Sequence, residues 1–168
     1  MKLAVIYDSK TGNTKQAAEW IVEGMNAISG AEAKAFSIDE VDEEFAKEAK
    51  AIVFGSPSYM ASLTPNLHQW IFTNGGKLDL AGKLGGAFAT AQYTHGGADT
   101  VIQSILTLEL VKGMLCYSSG NEFGLPYIHL GPVAINNNKE SHNGLENYKE
   151  TFVIYGNRFA TKATQLFN

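Results

Sequence analysis

The sequence predicts an α/β fold: one parallel β-sheet between two layers of helices. Three observations predict it. Apolar runs of strand length recur with no polar alternation, as strands covered on both faces require. Between them lie stretches whose apolar residues are spaced as on a helix. The two kinds of segment alternate from one end of the chain to the other, which builds a parallel sheet with crossover helices.

Leu3-Ala4-Val5-Ile6-Tyr7 is the first strand. After a polar loop, Ala17, Ala18, Ile21, Met25 and Ile28 mark the first helix. Gly30 leads into a second strand over Ala31 to Ser37, and a short acidic helix follows over roughly Asp39 to Lys47. The third strand, Ala51-Ile52-Val53-Phe54, is ended by Gly55-Ser56-Pro57. Thr64 caps the next helix and Pro65 takes its first position. Leu67, Trp70 and Ile71 give that helix a buried face, and Gly75-Gly76 stops it. Leu84 to Ala91 is a fourth strand with a Gly pair inside it. Gly96-Gly97 opens an apolar helix that ends at Gly113. Met114 to Tyr117 begins a fifth strand, Ser118 to Gly131 interrupts it, and Pro132 to Ile135 continues the sheet. Leu145, Tyr148, Phe152, Tyr155 and Phe159 mark a final helix. Its internal Gly156 costs about 1 kcal/mol relative to Ala and is read as permitting close packing on the sheet.

At 168 residues the chain is expected to be a single domain, residues 1–168. With 45% apolar and 18% charged residues, disorder is excluded. A net charge of −4 argues against a nucleic-acid partner, whose footprint is a basic patch. The one cysteine, Cys116, rules out a Cys-rich metal site and fits a reducing compartment. His68 and His142 look like surface residues and His129 belongs to the interruption; no histidine pair has metal-ligand spacing, so no metal is expected. There is no signal-like start and no run of about twenty apolar residues, so the expectation is a cytoplasmic protein without a membrane partner.

Ligands of such sheets sit beyond the carboxyl ends of the strands at a topological switch point. Three loops leave those ends, residues 9–14, 56–62 and 90–97, all rich in hydroxyl, amide or Gly residues. In the first, Ser9-Lys10-Thr11-Gly12-Asn13-Thr14, the strand-to-helix turn aims backbone N–H groups and the positive end of the helix dipole at one spot. That arrangement binds phosphate without a metal. A dinucleotide loop, G-x-G-x-x-G, fails because only Gly12 is present, and the G-K-[ST] of a P-loop is absent. A phospho-receiver domain would use Asp8 but needs an Asp after the third strand, where Gly55-Ser56-Pro57 stands.

Val5-Ile6-Tyr7, Ser9, Gly12, Thr14, Ala18 and Ile21 resemble the flavodoxin signature, whose core Ser-x-Thr-Gly-Asn-Thr is intact at residues 9–14. The resemblance implies a flavodoxin-like three-layer sandwich, a five-stranded parallel sheet of order 2-1-3-4-5, and non-covalent FMN. Its phosphate would be held by the backbone of residues 10–14 and by the hydroxyls of Ser9, Thr11 and Thr14. Lys10 is either a counter-charge or a solvated loop lysine. The second loop, Ser56-Pro57-Ser58-Tyr59-Met60-Ala61-Ser62, would meet the flavin ring. Tyr59 offers a stacking face and Met60 a polarizable one; otherwise Tyr59 packs beside Trp70 or covers a turn. In the third loop, Thr90-Ala91-Gln92-Tyr93-Thr94-His95-Gly96-Gly97, Gln92 and backbone amides would read the ring's polar edge, and Tyr93 would flank it. His95 is the one catalytic candidate, a proton donor or relay; the alternative is an exposed loop histidine.

Gly55-Ser56-Pro57-Ser58, Asn74-Gly75-Gly76, His95 to Thr100, Gly113-Met114 and Leu125-Pro126-Tyr127 further resemble the NAD(P)H:quinone oxidoreductases related to the tryptophan-repressor-binding protein. That resemblance implies hydride transfer from NAD(P)H through FMN to a quinone. The chain departs from the pattern in four places. An insertion between the second and third strands is missing, and a Trp is replaced near Lys77-Leu78. Val111 stands for a histidine, and Ala61-Ser62 stands for Gly-Asn. One-electron carriers of the flavodoxin type flip a backbone peptide beside a Gly, and residues 56–62 contain none. Carriers are also strongly acidic, which steers them to basic partners. Both features lean toward a two-electron oxidoreductase. The alternatives are a one-electron carrier between redox partner proteins and a non-redox FMN-binding module. Phe123, Leu125 and Tyr127 are suited to covering the flavin, to a homodimer face, or to packing under a long loop.

Overall fold

A computed structural model describes residues 1–137 and 144–167. Strands β1 (Lys2–Tyr7), β2 (Glu32–Ser37), β3 (Ala51–Pro57), β4 (Leu84–Ala91) and β5 (Leu115–Cys116) form a parallel sheet of order 2-1-3-4-5. A short β6 (Val133–Ile135) also pairs with β4. Thus β5 and β6 share one edge of β4. β5 runs beside Leu84 and Gly85, and β6 beside Ala89 to Ala91.

Each strand sends alternate side chains to opposite faces. Ala4, Ile6, Ile52, Phe54, Ala87 and Ala89 meet α2 (Glu43–Glu48), α3 (Pro65–Asn74) and α4 (Ala98–Val111). Leu3, Val5, Tyr7, Val53 and Phe88 meet α1 (Asn13–Asn26) and α5 (Lys149–Phe167). Burial on both faces is why these runs show no polar alternation.

Several boundaries differ from the sequence reading. β3 runs on through Gly55-Ser56-Pro57, because these residues pair with Phe88 to Thr90. A side chain on Gly55 would stand 1.9 Å from the Phe88 ring, so Gly55 makes room for that ring instead of ending the strand. α2 starts at Glu43, where the Asp42 carboxylate accepts the Phe45 amide at 3.0 Å. Leu145 and Tyr148 lie in a 3-10 turn ahead of α5. His142 lies outside the described residues.

Gly156 does not face the sheet. Its missing side chain would sit 2.1 Å from the Ile21 carbonyl oxygen of α1, and that of Gly24 1.9 Å from the Val153 carbonyl oxygen of α5. The two helices therefore touch backbone to backbone through reciprocal glycines. Trp20 and Phe152 close the contact edge to face, 6.2 Å between centroids. The Gly pair inside β4 also has a tertiary cause: Gly85 leaves room for the Glu109 carboxyl and Gly86 for the Tyr155 hydroxyl.

Candidate functional site

The three loops meet at the carboxyl ends of β1, β3 and β4 and enclose a cleft of about 600 Å³, a size typical of small-molecule sites.

In the first loop Gly12 has φ +91°, and a side chain there would meet nothing within 4 Å. Glycine is needed for its backbone angle alone. The first backbone bond of α1 runs from the Gln16 amide to the Gly12 carbonyl at 2.9 Å, and the first turn carries no acidic side chain. The amides of the helix start therefore face an acceptor of their own choosing. Ser9 Oγ already accepts two of them, from Gly12 at 3.2 Å and Lys15 at 3.3 Å. A side-chain oxygen thus stands at the helix N-terminus, where an anion's oxygen is favoured. Lys10, Thr11, Asn13 and Thr14 line the cleft, while Ser9 and Gly12 hold the loop's shape through the Gly12 amide to Ser9 Oγ bond. Thr14 Oγ1 pairs with buried Thr90 Oγ1 at 2.9 Å, which ties α1 to β4.

In the second loop Ser56 is buried below the cleft instead of on its wall. Its hydroxyl donates to the Pro57 carbonyl at 2.8 Å and accepts the Thr64 amide at 3.0 Å, which fixes where α3 begins. Pro57, Ser58, Tyr59 and Met60 are on the wall. Ser58 crosses to the third loop, its amide to the Thr90 carbonyl at 2.8 Å and its hydroxyl to the Gly96 carbonyl at 2.6 Å. Tyr59 and Ser62 exchange two backbone bonds of 3.0 Å across a tight turn. The turn residues Met60 and Ala61 sit at φ +53° and +56°, left-handed and without a glycine. The absence of a glycine from residues 56–62, read as making a peptide flip costly, does not keep this turn from positive φ: the Tyr59–Ser62 bridge imposes it. Met60 is 99% exposed at the tip. Tyr59 does not pack beside Trp70, which tilts against Phe54; its ring lies 5.8 Å from Lys10 Nζ.

In the third loop Thr90, Ala91, Gln92, Tyr93, His95 and Gly96 all reach the wall. His95 is exposed, and no hydrogen bond or ion pair holds its ring. Gly97, at φ +78°, lets the Ala61 side chain approach to 2.4 Å of where its own would stand. Gly97→Ala is therefore expected to push the 59–62 turn away from α4 and weaken ligand binding at least tenfold, with a smaller loss of stability. Flavin titration beside urea unfolding separates the two effects.

Two wall residues escaped the sequence reading. Ala61 was placed in the loop but given no role. Asn136 follows β6, its amide on the Ala91 carbonyl at 2.8 Å. The signal for Asn136 was present: it is the first polar residue after the apolar run ending at Ile135, at the same end of the sheet. Among the described residues the wall contains no Asp or Glu; its charged or titratable side chains include Lys10 and His95.

A flavodoxin family model matches residues 5–102, which hold all three loops. The chain belongs to the flavodoxin family. It is 41% identical to a flavodoxin of Clostridium saccharobutylicum over 99% of its own length and 100% of that protein's. It is 31% identical to an NAD(P)H dehydrogenase (quinone) of Geotalea daltonii, covering 79% of this chain and 75% of that one. Among solved structures it is similar to a WrbA-like flavodoxin from Agrobacterium tumefaciens, with TM-score 0.77, 23% identity and 98% of each chain covered. This flavodoxin thus shares its whole length with a protein called a flavodoxin, and a smaller part with quinone dehydrogenases. Among its described residues no helix is long and apolar enough to cross a membrane.

Proposed function

We propose that this protein binds FMN in the three-loop cleft and carries electrons between redox partner proteins. The observation that supports FMN is the donor set of the first loop. The helix-start amides, the αL turn at Gly12 and the hydroxyls of Thr11 and Thr14 suit a phosphate dianion. On binding, the Ser9 hydroxyl would yield its two amides to the anion and turn to donate. Tyr59, Met60 and Tyr93 would flank the ring, and Gln92, Asn136 and the loop amides would meet its polar edge. The cofactor supplies the redox chemistry; the chain supplies position and field.

The carrier reading is favoured over the two-electron enzyme that the sequence leaned toward. Among the described residues His95 has no partner to orient it, and none of them places a carboxylate on the wall to act with it. The missing-glycine argument against a carrier has lost its basis, since residues 60 and 61 already hold positive φ. One observation supports the second reading, an NAD(P)H:quinone oxidoreductase: a wall whose described residues include Lys10 and no carboxylate favours an anionic reduced flavin.

The test is anaerobic reduction of the FMN-loaded protein. A carrier should exchange electrons rapidly with a flavodoxin or ferredoxin reductase, and should not turn over NADH or NADPH when a quinone is added. Sustained NAD(P)H oxidation coupled to quinone would replace the carrier reading with the enzyme. Lys10→Gln should lower the second reduction potential more than the first, on the order of tens of millivolts, because the lost charge acts most on the more negative state.

A further inference from the structure

The edge of β4 has a gap. β5 covers Leu84 and Gly85 and β6 covers Ala89 to Ala91; between them the Gly131 backbone lies against the Ala87 carbonyl, and no strand among the described residues pairs with β4 there. Two buried polar side chains converge there from opposite faces of the sheet. Glu109 of α4 is 1% exposed; its Oε2 stands where a side chain on Gly85 would collide at 2.6 Å. Tyr155 of α5 is fully buried, its hydroxyl 2.4 Å from the place of a side chain on Gly86. β5 is tied to this gap. The Cys116 thiol donates toward Glu109 Oε2 at 3.4 Å, with the Leu106 carbonyl at 3.6 Å as a second acceptor. Beside the short ladder pairing of β5 with Leu84 and Gly85, Leu115 donates to the Lys83 carbonyl and Tyr117 to the Gly85 carbonyl, both at 2.8 Å.

We infer that Glu109 is a proton-operated latch on β5: protonated, it sits in the sheet gap and keeps Leu115 to Tyr117 docked on β4; ionised, it leaves the gap and releases that strand.

Among the described residues no cation pairs with this carboxyl, and its donors are limited to the weak Cys116 thiol and the Gly86 amide. Glu109 Oε1 has no hydrogen-bond partner. The titratable groups facing it are the Cys116 thiol and the Tyr155 hydroxyl of α5, with the Tyr117 hydroxyl beyond Tyr155, all neutral. Lys112, one turn on, points away, its Nζ 5.9 Å over the Phe72 ring. Arg158 is held by Ser119 and the Leu125 and Pro126 carbonyls, Lys162 lies over the Tyr117 ring, and none of the ion pairs among the described residues includes Glu109. Burial accordingly lifts the Glu109 carboxyl from 4.5 to about 8, against the pull of Cys116 and the Gly86 amide. Partial desolvation of the sulfur beside β4 and the adjacent Glu109 push the Cys116 thiol up to about 12, so it stays protonated and available as a donor.

The sign follows from the two states. Undocked, Glu109 has an ordinary carboxyl and releases its proton near 4.5; docked, it keeps it to about 8. Between those values the docked form binds one proton more, so opening becomes about tenfold easier for each pH unit and levels off above the upper value.

Amide hydrogen exchange tests this on the whole protein. Protection of Leu115 and Tyr117 should fall about tenfold per unit from roughly pH 5 to pH 8 and then flatten. It should stay well below the protection of β1. The α2 amides of Ala46 and Ala49, bonded within their own helix, should keep constant protection. Glu109→Gln, which cannot ionise, should abolish the slope. A flat wild-type profile at Leu115 and Tyr117 would overturn the latch. So would protection equal to that of β1, which would make Glu109 a contributor to global stability only, or a slope that survives in Glu109→Gln. If the variant does not fold, the wild-type profile alone decides.

Discussion

Riboflavin, which lacks the phosphate, should bind this flavodoxin about a thousandfold more weakly than FMN, a difference of roughly 4 kcal/mol. The figure comes from the donors. A dianion at the start of α1 would take several charge-assisted bonds from backbone amides and from the Thr11 and Thr14 hydroxyls, each contributing about 1.5–3 kcal/mol net before the cost of desolvating the phosphate. Because the amides are fixed by the αL turn at Gly12, little further ordering is required. Lys10 is exposed and lies over Tyr59, so Lys10→Ala should weaken FMN by less than about tenfold. Thr14→Val removes a hydroxyl donor and breaks the buried bond to Thr90, and should cost more than Lys10→Ala. Fluorescence quenching of FMN and riboflavin by the flavin-free protein measures all four. Equal affinity for the two flavins would show that the first loop is not the phosphate site.

Gly156→Ala should destabilise the protein by about 3 kcal/mol, although Ala is the better helix former by about 1 kcal/mol. An added methyl would stand 2.1 Å from the Ile21 carbonyl oxygen and 2.9 Å from its carbon. Both belong to the backbone of α1, so no rotamer change relieves the clash; the helices must separate. They carry much of one hydrophobic layer, including Trp20, Ile21, Phe152 and Phe159, and separation opens that layer. For a domain of this size the melting temperature should drop by roughly 6–12 °C. Urea unfolding, with and without FMN, gives the number. A variant as stable as the parent would mean that the interhelical contact is looser than the backbone geometry requires.

The sign reversal at Gly156 shows where reading the sequence stops. Helix propensity is local and legible; the partner that makes a glycine necessary lies more than a hundred residues away. The same holds for Gly55, read as a strand stop but required by the Phe88 ring. It holds again for Gly85 and Gly86, which accommodate Glu109 and Tyr155. Glu109 itself was hidden within an apolar helix pattern, since periodicity cannot say that a carboxyl points inward. In the site, the wall positions of loops one to three were legible because all three follow strand ends. Ser9 and Ser56 were legible as hydroxyls but not as supports, because their acceptors and donors are backbone groups fixed only after folding.

By itself the sequence determined the order of strands and helices, the face-to-face burial of the sheet, and the strand-to-helix loop at residues 9–14. These follow from local periodicity and from backbone preferences within a few residues. Tertiary structure alone decided which glycines are contacts, which hydroxyls line the cleft, that Met60 and Ala61 adopt left-handed angles, and that a buried carboxyl closes the gap beside β5. Those outcomes depend on atoms brought together from distant parts of the chain, where close packing and desolvation set the energy and local preference does not.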